Sequence, residues 1–404
     1  MLVRSWGTAA PKGYHAGTHR VVPPEVTVAR VERLMPVLGI TRVAHVTGLD
    51  VLGIPVVMVC RPNSKSLSVS QGKGVTGPAA VASGLMESLE LYHAERVEAP
   101  LRLGSWNQLR HRIPLADVDR LPRLAQGPFH GDLRLLWCEA TDLGSGEPQW
   151  VPFEMIDLDC TRPALPGAGS FLASSNGLAS GNDPWEATLH ALCEVIERDA
   201  LSRFLRADRS ARNGRRVRLD AVREDVIAGL RQRIGNAGLR VAIWDITSPA
   251  GVPAFRCALA DGAGPPAPRG VSYGMGCHPD RAVALSRAIT EAAQVRLTAI
   301  AGARDDLARA HYQGVTSPDR LTEEQEALFT PPPERFLEEA PAWTSADLAA
   351  DVGWVRERLH AAGHDTVLLA DLTHPALGIP VVRVVIPGME GVTGLGQGVP
   401  EVAA

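Results

Sequence analysis

The amino-acid sequence predicts an α+β fold, a single domain over residues 1–404 built from pseudo-repeated β-hairpin and helix units. Three helix-forming segments share one pattern of small, apolar and acidic residues and recur about 100 residues apart. Short β-rich runs joined by Gly and Pro turns recur with them. The composition, 45% hydrophobic and 21% charged, is enough for an apolar core. Together these features favour one interlocked domain over separate modules.

The three helical segments align without gaps. They read AVASGLMESLE from Ala80, ATLHALCEVIE from Ala187 and ALSRAITEAAQ from Ala284. Each carries an acid seven residues after that Ala, apolar residues at helical spacing and small residues on one face, which would let the helices pack closely together. A Pro opens each segment, as is typical of a first helical turn. These are Pro78, Pro184 and Pro279.

The β-rich runs predict hairpins, each with a Gly/Pro turn at its centre. They cover residues 45–60, 243–259 and 369–385, with a degenerate copy at 138–155. Residues 104–135 and 303–345 fit this scheme least well and are predicted to be insertions or peripheral helices.

Two acid pairs one helical turn apart, Glu87/Glu90 and Glu194/Glu197, sit among apolar residues. Like charges at i, i+3 repel, so something must compensate for them. If the helices pack together, four carboxylates converge, and oxygen ligands in that number suit Mg²⁺ or Ca²⁺. Mg²⁺ clusters commonly hold phosphates. Spacing alone does not decide whether these acids form a metal–nucleotide site or have a structural role.

The third segment differs from the other two. It has Glu291 and Gln294, with Arg287 one turn earlier on the same face. A cation there could meet the negative charge of a phosphate tail. The chain has no P-loop: SQGKGVTG, residues 70–77, lacks the Walker A spacing around Lys73 and is more simply a turn into the following helix.

The stretch GLASGNDPWEATLHALCEVIERDA, with GLMESLE before it and RAITEAAQVR after it, resembles the YcaO family. The resemblance runs over about residues 12–398, and its most specific part is an N-x₃-E-x₇-E-x₂-E-R spacing. It implies that ATP is bound without a P-loop and that the two acid pairs hold Mg²⁺ against its phosphates.

The resemblance also implies individual roles. The Mg²⁺ ligands would be Glu87, Glu90, Glu194 and Glu197. The nucleotide contacts would be Arg20, Thr27, Asn182, Glu186, Arg198 and Arg287. Arg287 and Glu291 would be the catalytic pair of the third segment. Cys193, beside Glu194, is expected to be a packing residue, because this chemistry needs no protein nucleophile.

YcaO proteins activate a peptide backbone amide: a nucleophile adds to the amide carbon and the oxyanion takes the γ-phosphoryl group of ATP. Two stretches are similar to family members that work with a TfuA partner and form thioamides: the opening KGYHAGTHRVVPPEVT, and GIPVVMVCRPNSKSLSVSQGKG at residues 53–74. The chain ends GLGQGVPEVAA, with only Pro400, which departs from the Pro-rich tail of azoline-forming members. Thioamide formation is therefore favoured. Azoline or amidine formation, and a non-catalytic ATP-binding scaffold, remain alternatives.

The expected partners are a TfuA-like protein, a peptide or protein substrate, a sulfur donor and a second copy of the chain. A net charge of −4 gives no sequence-wide case for binding to nucleic acid or to an anionic membrane.

We see no secretory signal, and the longest apolar run, IPVVMVC, is too short to span a bilayer. Six cysteines without C-x-x-C spacing suit buried thiols in a reducing cytoplasm. The Arg-rich stretch 209–218 is expected to be a solvated loop, with an acidic docking partner as the alternative.

Overall fold

Three long helices, each entered from a short strand, form the frame of the fold. The computed structural model describes residues 6–262, 270–304 and 318–391, and for 318–322 and 324 it describes the backbone only. The helices are α1 (Pro24–Glu32), α2 (Met35–Leu38), α3 (Gly77–Ala94), α4 (Trp106–Leu109), α5 (Pro184–Arg206), α6 (Arg209–Asn213), α7 (Asp225–Asn236), α8 (Arg281–Ala301), α9 (Pro318–Phe329) and α10 (Leu348–Ala361).

The strands form three antiparallel sheets. They are β1 (Arg42–His45), β2 (Val56–Cys60), β3 (Val69–Lys73), β4 (Leu101–Ser105), β5 (Arg134–Asp142), β6 (Pro148–Pro152), β7 (Leu178–Ser180), β8 (Leu239–Asp245), β9 (Ala254–Asp261), β10 (Ser272–Cys277), β11 (Leu368–Asp371) and β12 (Val381–Val385). Two sheets have three strands, in the orders β1-β2-β3 and β10-β9-β8. The third has six, in the order β4-β5-β11-β12-β7, with β6 also paired to β5.

The repeat predicted from the sequence is confirmed as a unit of a hairpin, a third strand and a helix. The first unit is β1-β2-β3 followed by α3, and the third is β8-β9-β10 followed by α8. In the second unit β7 leads into α5, but its hairpin, β11-β12, comes from near the end of the chain. The degenerate fourth copy is the hairpin β5-β6, which joins the second unit through β11.

Glycines in β3 and β10 let the backbones of α3 and α8 approach the strands that precede them. A Cβ on Gly72 of β3 would lie 2.0 Å from the carbonyl oxygen of Ala80, and one on Gly274 of β10 would lie 2.1 Å from the amide of Ala292. The expectation that these faces bring the helices directly together is therefore wrong. Residues without bulky side chains are needed where backbone meets backbone, and here the contact is between strand and helix.

Each helix also packs on the strand of the next unit. Helix α3 packs on β7, α5 on β10, and α8 on β3, so the three units close in a cycle. The strand β12 of the six-stranded sheet is buried on both faces. Alternate residues of β12 serve two cores: Val382 and Val384 pack with α5, and Val381 and Val385 pack with α3.

Local sequence explains how the helices begin. The side chain of Thr76 caps α3, Asp183 caps α5 and Asp280 caps α8. Pro78 and Pro184 lie in the first turn of their helices, as predicted. The prediction for the third Pro is wrong, because Pro279 precedes the cap Asp280 and lies outside the helix.

The less regular stretches contribute to the fold in different ways. Residues 104–135 contain the end of β4, the short helix α4 and the start of β5, and they bury Ala116, Val118 and Leu121 in the core around α3. In the stretch 303–345 the structure describes α9 and a 3-10 turn at Leu337–Glu339, while residues 305–317 lie outside the described parts.

The Arg-rich stretch 209–218 is tied to the protein more firmly than a solvated loop would be. Arg215 donates to the carbonyl oxygens of Asp245 and Thr247, and the buried Arg216 stacks over Trp244. These contacts favour a structural role over an acidic docking partner. Across the described residues, the helices are all too short or too polar to cross a bilayer.

Candidate active site

The acids that the sequence predicted to be ligands face one cleft bordered by α3, α5 and α8. On α5, residues 186, 190, 194 and 197 follow helical spacing along one face. Glu194 is close enough to raise the pKa of both Glu87 and Glu90 on α3, and Glu291 on α8 raises that of Glu197. The structure thus brings together acids from all three units.

Backbone amides of the preceding strands hold the first and third helix acids in equivalent ways. The N–H of Gln71 donates to Glu87 at 3.3 Å, and the N–H of Met275 donates to Glu291 at 3.3 Å, both across 16 residues of sequence. Glu90 instead crosses to the next unit, where it accepts from the N–H and hydroxyl of Ser180 at 2.8 and 2.6 Å. These bonds fix the direction of the carboxylates.

The four acids of the two pairs are held where negative charge is disfavoured. Burial raises the pKa of Glu87 and Glu197 to about 7 and that of Glu90 to about 8, and it also raises the pKa of Glu194. Within the described ranges, no three His, Cys, Asp or Glu side chains converge closely enough to hold one ion by themselves. The acids approach one another without forming a closed cage.

This arrangement fits Mg²⁺ carried by a phosphorylated ligand. Mg²⁺ in proteins is usually held by one or two carboxylates together with substrate phosphates, and an all-protein cage is uncommon. A divalent cation next to the paired acids would lower their pKa and remove their mutual repulsion. The donor set is all oxygen, as Mg²⁺ prefers.

Glu291 is the exception among the cleft acids, because a lysine neutralises it. Burial alone would raise its pKa, but Lys73, Arg198 and Arg287 together hold it below the ordinary value. The Lys73 Nζ lies 2.8 Å from Glu291 Oε2, joining β3 of the first unit to α8 of the third. The lone Gly-Lys-Gly had predicted only a turn, so the sequence reading missed this role for Lys73.

A second set of contacts joins the N-terminal segment to the start of α5. Glu186 is buried and accepts from the N–H of Val21 at 2.9 Å and from the side chain of Asn182 at 3.1 Å, with Arg20 Nε at 3.7 Å. Thr27 donates its hydroxyl to Asn182 at 3.2 Å. Four residues implied by the resemblance, Arg20, Thr27, Asn182 and Glu186, therefore lie together.

Two arginines border the acids. Arg287 Nη2 lies 3.0 Å from His190 Nε2, and burial together with Arg287 holds the pKa of His190 well below its ordinary value, so the imidazole is neutral and accepts. Among the described residues, the buried Nε of Arg287 has no hydrogen-bond partner. Arg198 lies against Met275 Sδ at 3.9 Å, and its charge opposes the rise that burial causes in the pKa of Glu194 and Glu197. Arginines bind phosphate oxygens, and paired acids bind Mg²⁺. The two kinds of group side by side therefore suit a triphosphate with bound Mg²⁺.

Three residues near the acids were not singled out from the sequence as site residues. Lys73 and His190 are described above, and Arg383 of β12 is a buried guanidinium that faces Glu194 closely enough to be stabilised by it. His190 had a detectable signal, since it occupies the same position in its unit as Arg287. Cys193 is buried in the core beside Cys277, in keeping with a packing residue.

Fold and site together define an α+β protein with an acid-lined cleft suited to a metal-bound polyphosphate. A family model described as YcaO cyclodehydratase, ATP- and Mg²⁺-binding, matches residues 71–390. The chain belongs to the YcaO family, and ATP and Mg²⁺ are the cofactors of that family. The α+β fold and the expected cofactors are thereby confirmed.

Relatives and solved structures agree with this assignment. An uncharacterized protein in the tfuA 3′ region of Rhizobium leguminosarum bv. trifolii is 37% identical over 95% of this chain and 90% of its own length. An uncharacterized protein of Methanothermobacter thermautotrophicus is 34% identical over 92% and 95%.

Two solved structures share the fold. The YcaO protein of Methanopyrus kandleri bound with AMPPCP and Mg²⁺ has a TM-score of 0.75 and 24% identity, with 94% of each chain covered. A heterocyclase in complex with substrate and cofactor has a TM-score of 0.79 and 23% identity over 95% of this chain. This chain spans about half of that heterocyclase, 54% of its length.

Proposed function

We propose that this protein is an ATP- and Mg²⁺-dependent enzyme that activates a backbone amide of a peptide or protein by O-phosphorylation, and that it forms a thioamide. One observation carries the proposal. The carboxyl groups of the two buried acid pairs have raised pKa values, and Arg198 and Arg287 lie beside them. Acids and arginines in one cleft complement a metal–triphosphate complex and have no evident use in a purely structural core.

Each group has a role in this proposal. The acid pairs Glu87/Glu90 and Glu194/Glu197 hold Mg²⁺, which neutralises the phosphate charge. The nucleotide is bound by Arg20, Thr27, Asn182, Glu186 and Arg198. Arg287 and Glu291 act at the transferred phosphoryl group, with Lys73 and His190 positioning them. No side chain of the protein forms a covalent intermediate.

The chemistry proceeds in three balanced steps. Hydrosulfide adds its electron pair to the amide carbon, and the carbonyl π electrons become an oxyanion. The oxyanion forms a bond to the γ-phosphorus of ATP while the bond to the leaving ADP oxygen breaks. Loss of the S–H proton and departure of phosphate, with the former carbonyl oxygen, leave C=S. Phosphorylation is needed because an amide oxygen is otherwise a very poor leaving group.

The TfuA branch is supported by the Rhizobium relative, whose name places it in a tfuA region. A TfuA-type protein and a sulfur donor are the partners we propose, in the cytoplasm, with a homodimer as the working assembly. The second candidate is azoline formation, which the structural likeness to a heterocyclase favours. The C-terminal tail with Pro400, which argued against it from sequence, lies outside the described residues.

The test combines ATP, Mg²⁺, sulfide, a TfuA-type partner and a candidate peptide, and it follows phosphate release and peptide mass. A gain of about 16 Da, sulfur for oxygen in the phosphorylated amide, supports thioamide formation. A loss of about 18 Da, one water, shows azoline or amidine formation instead.

Glu194→Gln separates an enzyme from a scaffold. We expect ATP consumption to fall by a factor of about 100 or more, since a charge that holds the metal at the transferred group is lost. The matched control is Glu357→Gln, an exposed acid of α10, which should keep wild-type turnover. Unchanged turnover in Glu194→Gln contradicts the metal assignment. A wild-type protein that binds ATP without turnover under every combination contradicts the enzyme proposal and favours the scaffold.

A further inference from the structure

A buried ion pair outside the acid-lined cleft joins the N-terminal segment to helix α10. The Nζ of Lys12 lies 2.6 Å from Oδ2 of Asp351, and the two side chains are 1% and 0% exposed. Replacing such a pair by apolar groups of similar size often leaves stability unchanged, so stability alone does not account for it. A buried pair of charges can instead fix one arrangement of the segments that carry it. None of the roles assigned above uses Lys12 or Asp351.

Asp351 is held in one orientation, so it gives Lys12 a fixed partner. Its Oδ1 accepts from the hydroxyl of Ser345 at 2.6 Å and from Nε1 of Trp343 at 3.1 Å. Within the described residues, its Oδ2 has no donor in hydrogen-bond geometry, so the short contact with Lys12 is one of charge. The N–H of Lys12 also donates to the carbonyl oxygen of Ala346 at 2.9 Å. Main chain and side chain of Lys12 are thus both attached near the start of α10.

Residues 13–20 form a closed loop. The N–H groups of Gly13 and Tyr14 both donate to the carbonyl oxygen of Arg20 at 2.9 Å, and the N–H of Arg20 donates to the carbonyl oxygen of Tyr14 at 3.0 Å. A Cβ on Gly13 would lie 2.4 Å from the carbonyl oxygen of Val21, so backbone meets backbone there. Because the two ends of the loop are in contact, a shift where the loop begins is transmitted to Arg20.

The far end of this loop lies at the site proposed for the nucleotide. The N–H of Val21 donates to Glu186 at 2.9 Å, and Arg20 Nε lies 3.7 Å from the same carboxylate. The side chain of Arg20 is 28% exposed, which leaves its guanidinium accessible to a ligand. The loop therefore connects the ion pair on α10 to a residue that faces the cleft.

The middle of the loop is packed by neutral groups. His19 is buried, and its ring lies edge-on to that of His278, with the centroids 5.1 Å apart. Burial lowers the pKa of His19 to about 4, so its ring is uncharged at neutral pH although Asp280 lies 3.8 Å away. Charge thus holds the loop where it begins, at the contact between Lys12 and Asp351.

We propose that the ion pair between Lys12 and Asp351 positions Arg20 for ATP, so that Lys12 is a positioning residue of the nucleotide site. The proposal rests on the role proposed above for Arg20 and adds the residues that hold it in place. A guanidinium binds phosphate through hydrogen bonds of fixed direction, so a small displacement of Arg20 weakens them. Loss of the ion pair should therefore weaken nucleotide binding, and it should do so through Arg20.

The test is a double-mutant cycle on the affinity for AMPPCP with Mg²⁺, measured by calorimetry on the full-length protein. The variants are Lys12→Met, Arg20→Met and the two combined. We expect each single variant to bind about tenfold more weakly than the wild type, as the loss of a charge-assisted hydrogen bond implies. The double variant should bind no more weakly than Arg20→Met. Losses that multiply in the double variant would overturn the proposal, because Lys12 would then act independently of Arg20.

The matched control is Arg61→Met, which breaks another buried ion pair, that of Arg61 with Glu95, whose side chains are 3% and 0% exposed. Arg61→Met and Lys12→Met should lower the midpoint of urea unfolding by similar amounts, but only Lys12→Met should weaken AMPPCP binding. Equal losses of affinity in the two variants would show that lower stability is the cause, and would overturn the positioning role.

A second variant provides the test if Lys12→Met does not fold. Gly13→Ala keeps the ion pair but places a methyl group against the carbonyl oxygen of Val21, so the adjoining Arg20 must shift. It should bind AMPPCP about tenfold more weakly, by the same loss of phosphate hydrogen bonds. Unchanged affinity would show that the loop does not set the position of Arg20.

The outcome is independent of the peptide chemistry, because AMPPCP binding requires no peptide. If the wild type modifies no peptide, the proposed function fails, and the cycle still decides the role of Lys12. If Arg20→Met binds AMPPCP as the wild type does, the positioning role is overturned together with the role of Arg20, while the enzyme proposal is judged by turnover.

Discussion

His190 and Arg287 occupy the same position in two units of the repeat and meet across the cleft, with Nη2 and Nε2 3.0 Å apart. Each lies four residues before the acid of its helix, Glu194 or Glu291. The contact is a product of the cyclic packing, because α5 and α8 bring equivalent faces to one place. A neutral imidazole accepts from the guanidinium and fixes its direction without cancelling its charge.

The first prediction concerns His190 as the residue that positions Arg287. His190→Leu removes the acceptor and should raise KM for ATP by a factor of about 10 to 100, because the guanidinium loses its orientation. His190→Gln keeps an acceptor oxygen and should retain most of the affinity. The measurement is steady-state kinetics with varied ATP, together with direct binding of AMPPCP.

A pH profile separates positioning from acid–base catalysis at the same residue. The pKa of His190 lies well below its ordinary value because of burial and the nearby Arg287. The imidazole therefore stays neutral near pH 6.5. The pH profile of kcat/KM should have no inflection near that pH that is present in the wild type and absent in His190→Gln. Such an inflection, or equal losses in both variants, would show that His190 acts in another way.

The second prediction is that the metal-free protein loses stability as pH rises from about 7 to 9. Burial raises the pKa of Glu90 to about 8, and that of Glu87 and Glu197 to about 7, from an ordinary value of 4.5. Over this range the folded state holds protons that the unfolded state has released, so unfolding becomes easier with increasing pH. Below about pH 6.5, buried His190 and His278 have lowered pKa values and act in the opposite direction.

The measurement is urea unfolding in EDTA at several pH values between 7 and 9. Glu90→Gln should flatten the curve, because a neutral amide oxygen still accepts from Ser180 but has no charge to bury. Mg²⁺ with AMPPCP should also flatten it, since the cation favours the ionised acids. A slope that is the same in wild type and Glu90→Gln would exclude Glu90 as the cause.

Sequence was informative wherever the determining contacts are local. Helical spacing and small residues located α3, α5 and α8, and turn residues located the four hairpins, because such patterns act within a few residues. The error at Pro279 is also local: a carboxylate such as Asp280 caps a helix, and it moved the start of α8 beyond the proline.

Contacts between units could not be predicted from spacing. Lys73 and Glu291 are 218 residues apart, and Thr27 and Asn182 are 155 apart. Only the family resemblance predicted that the two residues of the second pair belong to one site. Nothing in the sequence marked Arg383, because a single arginine in VVRVV is compatible with an edge strand or a solvent-facing position. Only the structure, in which β12 pairs with β7 on one side and β11 on the other, shows that this arginine lies in an inner strand.

The third prediction concerns the ion pair that joins the first unit to the third. Lys73→Met leaves Glu291 buried without its 2.8 Å partner and should reduce the free energy of unfolding by about 3 kcal/mol. The double variant Lys73→Met, Glu291→Gln should recover part of that loss, since no carboxylate is left unpaired. Urea unfolding of the four proteins measures the coupling.

The matched control for this cycle is Lys65, which pairs with Asp159 at 2.6 Å near the surface. Lys65→Met should cost less than about 1 kcal/mol, because water screens an exposed pair. If Lys73→Met is no worse than Lys65→Met, then the contact between β3 and α8 does not depend on this ion pair.

The last prediction is acid sensitivity at the end of α3. Burial alone would raise the pKa of Glu95, but hydrogen bonds from Arg61, Ser66 and Ser64 outweigh it and lower the value to about 2. A depressed pKa stabilises the fold above the unfolded value of about 4.5 and loses that effect as pH falls toward 2. Arg61→Met leaves the Glu95 carboxylate with only Arg96, Ser64 and Ser66 as side-chain partners, and should therefore cost about 3 kcal/mol at pH 6. The cost should be clearly less at pH 3, where that carboxyl takes up a proton. Urea unfolding at pH 3, 4, 5 and 6 tests this, and a cost that does not change with pH would show that packing of the Arg61 side chain, and not its charge, stabilises the site.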